Sequence, residues 1–256
     1  MRALWIIARR ELWSYLTSPV AYVVSGVFLA VIGFLFYGVA KIASERSMQL
    51  LQYQGMVPAF NVVQLVFRPM FHNMALVLVF VVPLLTMRLF AEERRQRTYD
   101  LLFSAPIPVM SIVGGKFLAA VFIYTGLLAL TFVLPAMLAQ YATFPWTALA
   151  AAYLGLWLLG LVFIAVGLFA SALTEYQIVA GFIGVGILLA LWVVGLITPD
   201  AEMTTLTVIQ KRVALAAHFD GFVQGLISTT SLVFFVSFAI LWLALAYRVV
   251  EANRWR

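Results

Sequence analysis

The feature that most constrains this chain is a set of six apolar runs, each about 20 residues long, separated by shorter polar stretches. A helix of that length spans the hydrocarbon core of a bilayer. No water is available there to satisfy backbone N–H and C=O groups, so such a run crosses as a helix with its hydrogen bonds closed internally. The runs fall at 20–40, 71–90, 117–138, 147–171, 177–197 and 226–247. Charged residues occupy 10% of the 256 positions, against roughly 25% in soluble domains, which is too few to coat a water-facing globule. The expected fold is an all-α membrane protein of six transmembrane helices. An N-terminal interfacial helix precedes them, and an outer-face helical segment lies between spans five and six.

Residues 1–18 read as an amphipathic helix in the membrane interface. Trp5, Ile6, Leu12, Trp13 and Leu16 share an apolar side, while Arg2, Arg9 and Arg10 stay in water and Glu11 adds an acid to the charged group. Ser18-Pro19 breaks that helix, because the residue before proline disfavours the helical region. The six-span domain covers 19–248. Pro83 marks an expected kink in span two. A polar loop follows span one with Lys41, Glu45, Arg46, Gln49, Gln52 and Asn61, and the most charged stretch, 91–108, follows span two. The segment 198–225 carries Glu202, Lys211, Arg212, His218 and Asp220, too many charges to cross, and reads as a pair of short helices at the outer face. Residues 249–256 form a tail.

Orientation follows from the positive charges. With the N-terminus inside, the inner set is Arg2, Arg9, Arg10, Arg88, Arg94, Arg95, Arg97, Lys116, Arg248, Arg254 and Arg256. The outer set is Lys41, Arg46, Arg68, Lys211 and Arg212, so eleven of the sixteen basic residues fall inside. The positive-inside rule then puts both termini in the cytoplasm of a multi-pass inner-membrane protein. The same rule accounts for the net charge of +6, so the bilayer, and no nucleic acid, is the expected partner of the basic residues.

The sequence offers little covalent chemistry. It has no cysteine, which removes thiol catalysis and thiolate metal sites. Gly114-Gly115-Lys116 resembles a phosphate loop but has Met110 where its first glycine belongs and Phe117 where Ser or Thr belongs. Lys116 is therefore expected to snorkel from the base of span three. His72 and His218 fall at outer-face positions and read as structural residues rather than haem ligands. No catalytic, cofactor-binding or metal site is expected. Gly160 with Gly167, Ala180 with Gly184, and Gly186 with Ala190 are spaced to let helices approach closely.

In the charged stretch, Glu92, Glu93, Arg94, Arg95, Arg97 and Asp100 form a water-facing surface. Leu101, Leu102 and Phe103 cap it, and Pro106 and Pro108 end the helix. A short helix of this kind can dock in a cleft of a cytosolic partner; it also reads as a solvated loop obeying the charge rule. Here the sequence resembles a known family. MRLFAEERRQRTYDLL followed by SAPIPV is similar to the corresponding loop of type-2 ABC exporter permeases, particularly the gliding-motility-type (GldF-like) branch. The fragments ELWSYLTSPVAYVV, IVGGKFLAA, YLGLWLLG, GLFASALTEYQIVA, HFDGFVQG and EANRWR extend the resemblance along most of the chain.

The resemblance implies a permease dimer and a separate cytosolic ABC ATPase that binds the ATP and Mg, leaving no cofactor on this chain. It leaves room for an auxiliary membrane or periplasmic subunit. It implies that the loop after span two is the coupling helix, with Glu92, Glu93, Arg94, Thr98, Asp100, Leu101 and Leu102 against the ATPase. A second contact falls at Ser171, Thr174 and Glu175. Arg97 departs from the glycine common before that threonine. The expected function is the transmembrane subunit of an ATP-driven exporter. A membrane anchor that transmits force without transport is the alternative, and an intramembrane enzyme is a further one.

Overall fold

The computed structural model describes residues 2–52, 62–96, 108–194 and 214–253. All regular structure among them is helical. In chain order the helices are α1 (Arg2–Thr17), α2 (Pro19–Gln52), a π-helical stretch (Val63–Phe67), α3 (Arg68–Thr86), α4 (Arg88–Arg95), α5 (Val109–Thr131), α6 (Val133–Leu138), α7 (Trp146–Leu173), α8 (Gln177–Val194), α9 (Leu215–Val223) and α10 (Thr229–Asn253). Six stretches are long and apolar enough to cross a membrane: Pro19–Met48, Val63–Arg95, Val109–Leu138, Trp146–Leu173, Gln177–Val194 and Thr229–Asn253.

The bundle is built around α7. In its most apolar window 78% of residues are buried inside the chain, against 17% for α2 and 22% for α10. A helix apolar on every side has no face to give to water and takes the centre, with the others around it. α10, α8, α3 and α9 all pack on it. Close approach is made possible by glycine. At Gly160 a methyl group would overlap the ring of Tyr124 on α5, and at Gly167 it would overlap the hydroxyl of Thr86 on α3. The two positions serve different neighbours. Gly184 meets Pro83 and Ala170, whereas Gly186 meets nothing within 4 Å.

Several boundaries differ from the sequence reading. α2 does not end near residue 40 but continues 34 residues to Gln52, about 51 Å at 1.5 Å per residue. Residues 41–48, which include Lys41, Glu45 and Arg46, are compatible with helix and lie largely exposed on it. α5 begins at Val109, eight residues before the expected start, with Pro108 as its extended N-cap. The span-two helix runs through Pro83 inside α3 and breaks one turn later at Met87, whose N–H still reaches Pro83 O at 2.8 Å. α10 runs on to Asn253, into the expected tail. Of the two short helices expected in 198–225, α9 is described and 195–213 lie outside the described residues.

α1 ends at Thr17, and Ser18 N donates to Tyr15 O before α2 starts at Pro19. α1 also buries a flank that the sequence reading did not single out. Ile7, Ala8 and Tyr15 are buried and Leu4 half-buried; Leu4 and Ile7 meet α5, where Gly114 and Gly115 let the helix approach to contact. Trp5, Ile6, Trp13 and Leu16 remain exposed. α1 thus has two apolar flanks: one packs on protein and the other is exposed.

Candidate functional site at the α1–α4–α5 junction

The end of the bundle carrying α1, α4, the start of α5 and the end of α7 holds a buried charge cluster. Lys116 sits two turns into α5, and its side chain is 1% exposed. Its ammonium donates to Glu11 Oε1 on α1 at 2.8 Å, to Leu89 O at 2.6 Å, and pairs with Glu93 Oε1 on α4 at 3.0 Å. Those three contacts match the three donors of an ammonium. Arg10 Nη2 closes the set by donating to Glu93 Oε1 at 3.3 Å. Lys116 therefore does not snorkel. Burying an ammonium costs several kcal/mol unless it is paired and hydrogen-bonded, and two carboxylates from different helices supply that pairing.

Beside the cluster, Arg88 lies over the ring of Tyr15 with its guanidinium carbon 4.1 Å from the ring centre. The Tyr15 hydroxyl donates to Leu85 O at 2.7 Å. Burial pushes this phenol well above its ordinary range, with the Arg88 charge opposing the shift.

Ser171 repairs the helix break at Met87. Its hydroxyl donates to Met87 O at 2.8 Å and accepts from Phe90 N at 3.0 Å and Ala91 N at 3.1 Å. Two of the first four N–H groups of α4, which no residue of its own turn can satisfy, are thus met by a side chain from α7. Arg94 Nη1 donates to Ala172 O at 3.1 Å. Residues 78 to 84 positions apart in sequence are joined at one end of the bundle.

The sequence-predicted residues now divide. Glu11, Arg10 and Glu93 belong to the buried cluster, and Arg9 and Trp13 are exposed on α1. Glu92 is half-buried and accepts the Gln96 amide at 3.2 Å. Arg94 is half-buried against α7, and Ser171 is fully buried and faces α4 rather than solvent. Thr174 accepts from Tyr176 N at 3.2 Å, and Glu175 is exposed. Thr98, Asp100, Leu101 and Leu102 lie outside the described residues. Lys116, Arg88 and Tyr15 were missed as partners. The available signal was a lysine inside an apolar helical run, which needs an acid from elsewhere.

The opposite end has its own polar link. Arg68 donates to Asp220 through Nε and Nη2, both at 3.0 Å, and His72 Nε2 lies 3.6 Å from Asp220 Oδ1. His218 bonds to Ser231 at 3.1 Å and stacks on Phe234 at 4.1 Å. Both histidines thus help fix α9 against α3 and α10. No group of three or more His, Asp or Glu among the described residues is arranged to hold a metal.

A family model for the ABC-2 family transporter protein matches residues 5–251, almost the whole length. No curated protein matches the sequence at a significant level.

Proposed function

This chain belongs to the ABC-2 family of transporter proteins and is a membrane permease subunit of an ABC transporter, and on that premise we propose how it is coupled. It works as a dimer with a separate cytosolic ATPase that carries the ATP and Mg, exports its substrate, and falls in the gliding-motility-type branch on the strength of the sequence fragments above. It sits in the inner membrane with both termini cytoplasmic, as the eleven-to-five charge distribution favours. α1 lies in the cytoplasmic interface with Trp5 and Trp13 toward lipid. An auxiliary membrane or periplasmic subunit fits the same assembly.

One observation carries the reading. The two segments expected to meet the ATPase, α4 and the link after α7, are hydrogen-bonded to each other through Arg94 and Ser171. They form one surface, whose exposed side chains include Arg95, Leu173, Glu175 and Tyr176. The buried residues behind that surface act differently from a docking face. Glu93 and Ser171 hold α4 to α1, α5 and α7, so a displacement of α4 is passed to three helices at once. The packed junction moves as a unit because close-packed interiors transmit strain.

The test is co-purification of the ATPase with the permease, and permease-dependent ATPase activity in proteoliposomes. Arg95→Glu combined with Glu175→Lys should reduce both by reversing charges on the exposed surface, with no change in the detergent melting temperature. Unchanged recovery and activity at low salt would remove this surface from the coupling route. Stable ATPase binding without vectorial solute movement would point to an anchoring subunit.

A further inference from the structure

We propose that the cleft between α1 and α4 is a binding site for the headgroup of an inner-leaflet aminophospholipid, its phosphate on Arg88 and its ammonium on Glu92. The proposal rests on the cytoplasmic, interfacial placement of α1 given above.

The cleft encloses about 170 Å³ and is lined by Arg10, Ser14, Arg88, Glu92 and Gln96 around the buried Lys116 cluster. The charges of its inner wall are committed to one another, Lys116 to Glu11 and Glu93, and Arg10 to Glu93. Arg88 and Glu92 are not. They stand four apart on α4, on one helical face, where opposite charges ordinarily pair. Neither has an oppositely charged side chain within 4 Å among the described residues. Arg88 is held instead over the Tyr15 ring, and its Nη2 is buried with no hydrogen-bond acceptor. Glu92 accepts from the neutral Gln96 amide.

Arg88 lines the cleft with no carboxylate partner among the described residues, and a phosphate diester is the anion whose geometry suits a guanidinium. Charge decides which phosphate. Glu92 one turn away opposes a purely anionic ligand. A zwitterion carrying an ammonium two carbons from its phosphate answers both charges. The Ser14 hydroxyl lies on the same cleft as a further donor. The exposed Trp5, Trp13 and Leu16 of α1 place the cleft at headgroup depth, with acyl chains running past the apolar flank.

The experiment uses the full chain, delipidated in detergent and titrated with dioleoyl phosphatidylethanolamine or phosphatidylglycerol. Binding is read by native mass spectrometry and by lipid-dependent shift of the melting curve. The ethanolamine lipid should be retained about tenfold more strongly by the native chain, the scale of one charge-assisted hydrogen-bonded contact. Arg88→Gln should weaken binding of both lipids about tenfold, and Arg88→Lys should keep most of it. Glu92→Gln should remove the preference while still binding phosphatidylglycerol. Equal retention of the two lipids by the native chain, or native binding by Arg88→Gln, overturns the proposal. Free phosphoethanolamine competing at the concentration of the lipid would assign the site to a soluble ligand and also overturn it. Quenching of a bimane label on Trp13→Cys by brominated lipid tests the interfacial placement separately. A quenched label with no headgroup preference refutes the site alone; an unquenched label refutes the placement on which it rests.

Discussion

Lys116→Met is the most informative single change, because two readings of this lysine differ by several kcal/mol. If Lys116 only snorkelled to the interface, methionine would match its stem and the change would stay within about 0.5 kcal/mol. In the structure its ammonium holds Glu11 and Glu93, whose side chains are 12% and 10% exposed. Removing it leaves both buried carboxylates without that ammonium. Breaking a buried pair in this way costs about 3–5 kcal/mol, a drop of roughly two to three and a half orders of magnitude in the folding constant. The assay is equilibrium unfolding in mixed micelles, supported by thermal loss of the monodisperse peak on gel filtration. Adding Glu11→Gln and Glu93→Gln to Lys116→Met removes the stranded charges, and the triple variant should recover at least half of the loss. Arg10→Ala should cost no more than about 1 kcal/mol, since the Arg10 side chain is 61% exposed. A Lys116→Met protein as stable as the native chain, or a triple variant no better than the single, would show that the cluster does not bind α1 to α4 and α5.

Changes at other positions test the α4–α7 link, the glycine contacts and the topology. Ser171→Ala strands Met87 O and the N–H groups of Phe90 and Ala91, and should cost about 1–3 kcal/mol, seen in the same unfolding assay together with faster hydrogen exchange in α4. Gly160→Ala drives a methyl into the Tyr124 ring and should cost about 1–3 kcal/mol, whereas Gly186→Ala, with no neighbour within 4 Å, should be close to neutral in the isolated chain. The chain has no native cysteine, so impermeant thiol reagents should label Ser47→Cys from outside intact cells and Asn253→Cys only after the membrane is opened; labelling of both in sealed cells would break the even-span topology.

The sequence by itself determined the fold class and the number of spans, because a run of about 20 apolar residues has few alternatives in a bilayer. It also determined the turn at Ser18-Pro19 and pointed to close packing at Gly160 and Gly167, both local matters of backbone and side-chain size. The partners of the charged residues were settled only by the tertiary structure. Glu93 stands among wet-looking neighbours in EERRQR and reads as a surface acid, and Lys116 reads as a helix-end cation. Nothing within a few residues of either says that they meet across α4 and α5, or that Glu11, 105 positions from Lys116, completes the pair. Ser171 similarly reads as a loop residue, and its use at the Met87 break depends on how α7 lies against α3 and α4. Helix formation in lipid follows from the composition of a window. The pairing of buried charges depends on which faces of distant helices are brought together, and that is decided by packing.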